Sequence, residues 1–242
     1  MKIGVKTFKN EEFLNYFKNK ADFFEIQAIQ TNNYEFLKKF SKPMVIHAEH
    51  LGSGINPCDK MMLEKNLKSL NFARKLADNT NAKKIIFHPG YLLNETSKIK
   101  NSAFLVNSLN DKRIIIENLS SHNKGICTTP DEMKKFLEKT KLNFCLDISH
   151  AVIVAKILKI DYIKFLKDFI KLKPTHYHIS GKDMNSEKDN HYSFSDKDSN
   201  IPIKEILELF PEDAEITLET NPDIKKTQED LRIIRKIISE IT

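Results

Sequence analysis

Nine residues of metal-ligand type fall at or just beyond short apolar runs of this chain. His47 closes Val45-Ile46-His47, His88 opens His88-Pro89-Gly90 after Ile86-Phe87, Glu117 closes Ile115-Ile116-Glu117, and Asp147 closes Cys145-Leu146-Asp147. His178 lies inside the run 175–179 and Glu219 follows Leu218. His150 comes three residues after Asp147, and Asp189 and His191 sit together in Lys188-Asp189-Asn190-His191. Four carboxylates with five imidazoles and no cysteine suit zinc, manganese or iron in an open site, not a closed structural zinc site. Four neighbouring carboxylates buried without cations would carry a penalty of several kcal/mol per group, so convergence of these residues argues for metal. Nine ligands are also more than one ion can use, which points to a cluster.

Convergence requires elements that bring distant residues to one rim. Eight β-branched or aromatic runs, at residues 2–5, 23–27, 44–48, 84–88, 113–117, 143–147, 175–179 and 215–219, recur with helical-period segments between them. The stretch 61–76 places Leu63, Leu67, Leu70 and Phe72 at helical spacing, and 228–241 does so with Leu231, Ile234 and Ile238. Strict alternation predicts a parallel sheet with right-handed crossovers, and eight units close it into a single (β/α)8 TIM barrel spanning 1–242. Six consecutive strands then each deliver a histidine or carboxylate to the C-terminal ends of the strands. The two longest irregular stretches, 49–59 and 181–200, directly follow a strand and belong to that same face.

Length and composition narrow the classes further. A chain of 242 residues builds a full core without disulfides or a structural metal, leaving metal ligands free for chemistry. Three widely spaced cysteines with no paired motif and no secretory leader read as a cytoplasmic protein, and no apolar run approaches the length that crosses a bilayer. The net charge of +6 favours a polyanionic partner if it gathers on one face, while a lysine-rich composition or adaptation to heat accounts for the same number. Among the other histidines, His50 stands just above His47 at the pocket mouth, His122 lies in the loop after the fifth strand, and His176 faces the same side as His178 but deeper.

These stretches, from Val45-Ile46-His47-Ala48 through Phe87-His88-Pro89-Gly90, Ile116-Glu117-Asn118, Asp147-Ile148-Ser149-His150, His178-Ile179-Ser180 and Asp189-Asn190-His191 to Leu218-Glu219-Thr220, resemble the endonuclease IV type abasic-site endonucleases. That family sits within the xylose-isomerase-like barrel superfamily. The resemblance implies that His47 and His88 hold a first zinc ion and that Glu117 bridges it to a second, held also by Asp147, His178 and Glu219. It implies a third ion on His150, Asp189 and His191, with Glu117 and Glu219 at the catalytic centre and His50, Asn118 and Lys182 touching substrate. The activity implied is metal-assisted hydrolysis of a phosphodiester in DNA bearing abasic lesions.

The sequence also departs from the family. The first strand reads Ile3-Gly4-Val5-Lys6-Thr7 where the family opens with a histidine motif, the segment after the second strand reads Ala28-Ile29-Gln30-Thr31-Asn32-Asn33-Tyr34 where the family has a basic and aromatic loop that enters DNA, and Glu49-His50-Leu51-Gly52-Ser53-Gly54 replaces the family's tyrosine-bearing loop after His47. An alternative within the superfamily is a sugar isomerase or epimerase with one manganese or magnesium ion on Glu117, Asp147, His178 and Glu219, and a small phosphoester or sugar as substrate. That reading leaves His47, His88, His150, Asp189 and His191 without a purpose as a set. A third is a metal-binding relic that has lost its substrate loops.

Overall fold

The computed structural model describes residues 1–241. Among them, eight parallel strands hydrogen-bond in chain order and close into a barrel, the first strand pairing with both the second and the last. The strands are β1 (Lys2–Thr7), β2 (Phe23–Gln27), β3 (Met44–His47), β4 (Ile85–Phe87), β5 (Ile114–Glu117), β6 (Asn143–Asp147), β7 (His176–Ile179) and β8 (Glu215–Leu218). The helices are α1 (Glu11–Phe17), α2 (Leu63–Thr80), α3 (Ile99–Leu109), α4 (Pro130–Thr140), α5 (Ile148–Ile157), α6 (Tyr162–Ile170), α7 (Ile203–Leu207) and α8 (Ile224–Ile241). After β2 the crossover is only a 3-10 turn, Glu35–Lys39, and after β6 it is the pair α5 and α6. None of these helices is long and apolar enough to cross a membrane.

Register sorts each strand into an inner and an outer row. Pairing of Gly4 with Phe23, Lys6 with Glu25, Glu117 with Cys145 and Asp147 with His178 places these residues on the inner side, two positions apart along each strand. The outer row, Ile3, Val5, Phe24, Ile26, Ile46, Ile85, Ile114, Ile116, Phe144, Leu146, Tyr177 and Ile216, packs with the helices into the main core. The inner row is apolar only at the bottom, where Phe23, Val45, Ile86, Ile115 and Cys145 fill the barrel as a separate cluster. The Phe23 ring fits because position 4 has no side chain: a Cβ on Gly4 would lie 2.2 Å from it. Above that plug the inner row is charged, and the barrel becomes a socket.

Several elements differ in extent from the sequence expectation, each for a local reason. β1 runs to Thr7, two residues beyond the predicted run. β4 ends at Phe87, because Pro89 has no N–H for the ladder, and His88 stands just beyond the last paired residue. α2 continues past 76 to Thr80, where Asn81 takes a left-handed cap at φ 54°. α8 starts at Ile224 instead of 228 because Asp223 accepts from the Lys226 N–H at 2.9 Å.

Candidate metal centre

Glu117 is the middle of the socket. The last residue of β5 points inward with no exposed surface, and its two carboxylate oxygens face different partners. Oε2 lies 3.2 Å from His47 Nε2 and 3.0 Å from His88 Nε2, while Oε1 lies 3.4 Å from His178 Nδ1. Two ligand groups therefore share one residue: His47, His88 and Glu117 form one compact set, and Glu117, Asp147, His178 and Glu219 form the other. The neighbouring strands put the remaining members in reach, with Glu219 Oε2 at 2.6 Å and Asp147 Oδ2 at 4.0 Å from His178 Nδ1.

Asp147 does two jobs because strand turns straight into helix there. Its Oδ1 accepts the His150 N–H at 2.7 Å, capping α5, and Oδ2 is left to face the socket. That cap turns His150 back over the rim, where Nε2 lies 2.8 Å from Asp189 Oδ2, and His191 Nε2 reaches the same oxygen at 3.3 Å. The structure thus brings His150, Asp189 and His191 into one chain of contacts, with Asp189 in the centre. The rim opens on that side, His191 and Asp189 being 30% and 23% exposed against none for Glu117 and His178.

The imidazoles are oriented from behind. His47 Nδ1 bonds the Ala48 carbonyl at 2.9 Å, His150 Nδ1 the Asn118 carbonyl at 2.7 Å and His191 Nδ1 the Glu219 carbonyl at 2.9 Å. A carbonyl only accepts, so each Nδ1 must carry the proton, and Nε2 is the ring atom turned to the rim. His178 is turned the other way round, with Nε2 at 3.0 Å from Glu25 Oε2 and Nδ1 toward Glu219. Glu25 is fully buried in β2 and also accepts from Thr217 at 2.7 Å, and Thr217 in turn contacts His176 Nε2 at 2.8 Å. His176 is accordingly a buried residue of the layer beneath, as its place in β7 suggests.

Lys6 and Glu25 belong to this site and were not identified from sequence. Lys6 Nζ lies 2.5 Å from Glu219 Oε1 and 3.5 Å from Glu25 Oε1, with the side chain 9% exposed. Period-2 alternation along β1 and β2 was the available signal, since it puts Lys6 in line with Gly4 and Glu25 in line with Phe23.

The three residues expected to touch substrate are placed differently by the fold. Asn118 is completely buried, its Oδ1 accepting the Asp147 N–H at 2.7 Å and its Nδ2 donating to the Asp147 carbonyl at 2.9 Å, so it holds Asp147 in place. Lys182 turns into its own loop, donating to the carbonyls of Ser186 at 2.8 Å and Lys188 at 3.0 Å. It braces the segment that carries Asp189 and His191. His50 does stand at the mouth, its ring stacked on His88 at 4.8 Å and its Nδ1 accepting from Gly52 N–H. His122 contacts Thr128 Oγ1 at 3.3 Å within the loop after β5.

Electrostatics reflect the crowding. Burial pushes the Asp147 carboxyl up to about 6, against His150 and with the help of Glu219 and Glu117. Burial works the same way on Glu117, but the His88 and His178 imidazoles outweigh it and hold that carboxyl well below its usual range. Burial opposes charge on His191 as well, yet its contact with Asp189 raises it to about 9. Burial lowers His50 to about 2, so that ring is neutral at any working pH.

The donor set fits divalent metal. Buried ligand atoms that form no well-aligned hydrogen bond, and most of which face one another as close carboxylate–imidazole contacts, gather here: His47 Nε2, both Glu117 oxygens, His178 Nδ1 and Glu219 Oε2, with Asp189 Oδ1 at the rim. Carboxylate and imidazole atoms crowded together in a closed interior without good hydrogen bonds are costly, and a divalent cation among them would relieve that cost.

Comparison with known proteins agrees with the fold. A family described as "Xylose isomerase-like TIM barrel" matches residues 19–237. An uncharacterized protein of Methanocaldococcus jannaschii is 25% identical over 213 residues, which cover 77% of this chain and 79% of that one. Among solved structures, a D-tagatose 3-epimerase-like protein aligns over 100% of this chain and 98% of its own, with a TM-score of 0.77 and 19% identity. Endonuclease IV from Thermus thermophilus aligns over 99% of this chain and 100% of its own, with a TM-score of 0.73 and 17% identity.

Proposed function

The chain belongs to the xylose isomerase-like TIM barrel family, and we propose that within it the protein is a zinc-dependent phosphodiester hydrolase of the abasic-site endonuclease type. The observation that carries this reading is the bridging position of Glu117, with one oxygen toward His47 and His88 and the other toward His178. A single-ion enzyme needs only the four-residue set; a second set sharing a carboxylate, with His150, Asp189 and His191 beside it, serves a reaction that handles several negative charges at once.

In this reading His47, His88 and Glu117 hold one ion, Glu117, Asp147, His178 and Glu219 a second, and His150, Asp189 and His191 a third. Bound there, the ions supply Lewis acidity and offset charge growing on phosphoryl oxygens. The residues supply everything else. Backbone carbonyls behind His47, His150 and His191 fix which ring nitrogen is free, and Asn118 fixes Asp147. Glu117 and Glu219 are both engaged by neighbouring cations or rings, which leaves neither as a free proton shuttle and suits hydrolysis better than isomerisation.

Exposed apolar side chains on the loops after β1, β3 and β4, namely Phe8, Leu51, Leu92 and Leu93, ring the same face and suit a polymer with stacked bases better than a free sugar. A sugar epimerase using the four-residue set remains the competing reading, supported by the compactness of that set. Zinc-loaded protein incubated with a duplex carrying one abasic site should cut the backbone there. His88→Ala and Asp189→Ala should each abolish cleavage and lower bound metal. An intact duplex, together with interconversion of ketoses by protein holding a single manganese ion, would reverse the ranking.

A further inference from the structure

Lys6 is the one ammonium among the buried charged groups of the socket named above, and its contacts close a ring. Lys6 Nζ holds Glu219 Oε1 at 2.5 Å; Glu219 Oε2 faces His178 Nδ1 at 2.6 Å; His178 Nε2 meets Glu25 Oε2 at 3.0 Å; and Glu25 Oε1 returns to Lys6 Nζ at 3.5 Å. All four residues come from neighbouring strands around the β7-β8-β1-β2 side of the barrel, or from the end of one. We propose that Lys6 is a positioning residue that sets metal selectivity: by occupying Glu219 Oε1 it leaves the four-residue set a single Glu219 oxygen, and so favours zinc over manganese.

The chemistry follows from what each ion asks for. Zinc is satisfied by about four nitrogen or oxygen donors, whereas manganese and magnesium seek about six, largely oxygen. A Glu219 free to offer both oxygens would add a donor that a six-coordinate ion uses and a four-coordinate ion does not. The ammonium removes that donor without removing the ligand. Glu25 completes the arrangement by holding the other face of His178, so that Nδ1 and Oε2 stay on the socket side together.

This inference rests on the metal-centre reading but not on which reaction the centre performs. The test is equilibrium dialysis of metal-stripped full-length protein against equal concentrations of zinc and manganese, with both metals counted per chain. Lys6→Met should lower the zinc-to-manganese ratio about tenfold, the scale of effect expected from a residue behind the ligands. Because Lys6→Met leaves the fully buried Glu25 carboxylate without its ammonium, the double variant Lys6→Met/Glu25→Gln, which removes that charge too, is measured alongside and should show the same fall; Lys6→Arg should keep the original ratio. An unchanged ratio in a folded Lys6→Met or double variant overturns the role of Lys6. Wild-type protein that takes up neither metal overturns the metal centre itself, and the role of Lys6 with it.

Discussion

At Asn118 a single buried amide takes the N–H of Asp147 on one side and gives to its carbonyl on the other. Asn118→Ala strips both partners from that backbone at once, which should cost about 2–4 kcal/mol in denaturant unfolding of the metal-free protein and loosen metal as well. A loss under roughly 0.5 kcal/mol, the scatter of surface substitutions, would contradict the positioning role. Asp111 gives a prediction for pH. Arg113 donates to both its oxygens at 2.9 and 2.7 Å and Arg74 adds a contact at 3.0 Å, and this hydrogen bonding holds the carboxyl well below the usual range, against burial. A carboxyl lowered on folding contributes stability that is complete above its ordinary pKa of about 3.9 and drains away as pH falls through that value toward the folded one. The stability gap between wild type and Asp111→Asn should therefore be about 1–2 kcal/mol at pH 7 and narrow below about pH 4. A gap that stays constant across that range would rule the ion pairs out as its source. The ligand-type residues at strand ends were legible in the sequence because His and carboxylate at the end of an apolar run are unusual there. Lys6 and Glu25 were not, because one inward lysine in a chain with 39 Lys and Arg carries no mark of its own.

Elements translate these residues into a site through register and loops. The barrel bottom closes because Phe23 crosses over Gly4, so Gly4→Ala should destabilise by about 1–3 kcal/mol, with Phe23→Leu restoring part of the loss in the double variant. Additive effects of the two substitutions would show that they do not meet. The 181–200 segment carries Asp189 and His191 without regular structure of its own beyond the Gly181–Tyr192 bridge. Its order depends on Lys182, and Lys182→Met should speed amide exchange from about residue 183 to 190 while leaving the strands protected. Strand identity and order were readable from alternation and from the spacing of apolar runs. The roles of Asn118 and Lys182 were not, since nothing local reveals that an amide or an ammonium turns to backbone carbonyls instead of outward. The short β4 and the early start of α8 follow from Pro89 and Asp223, signals present in the sequence but outweighed by periodicity.

For the whole molecule, the closed eight-stranded barrel and its charged upper layer form one arrangement, in which a socket of carboxylate and imidazole ligands opens on a chain of net charge +6. If the partner is DNA, affinity should fall steeply with salt as phosphate contacts release counterions, and an affinity indifferent to salt would point to a small substrate. The xylose isomerase-like barrel could be read from strand alternation and strand-end motifs, while the choice between hydrolysis and isomerisation turns on how many ions the socket holds. The decisive measurement is the metal content of protein purified without chelators, by elemental analysis against an accurate protein concentration. Close to three ions per chain, mostly zinc, is the result predicted by Glu117 bridging two ligand sets beside Asp189. A single ion per chain, manganese or magnesium, would contradict it.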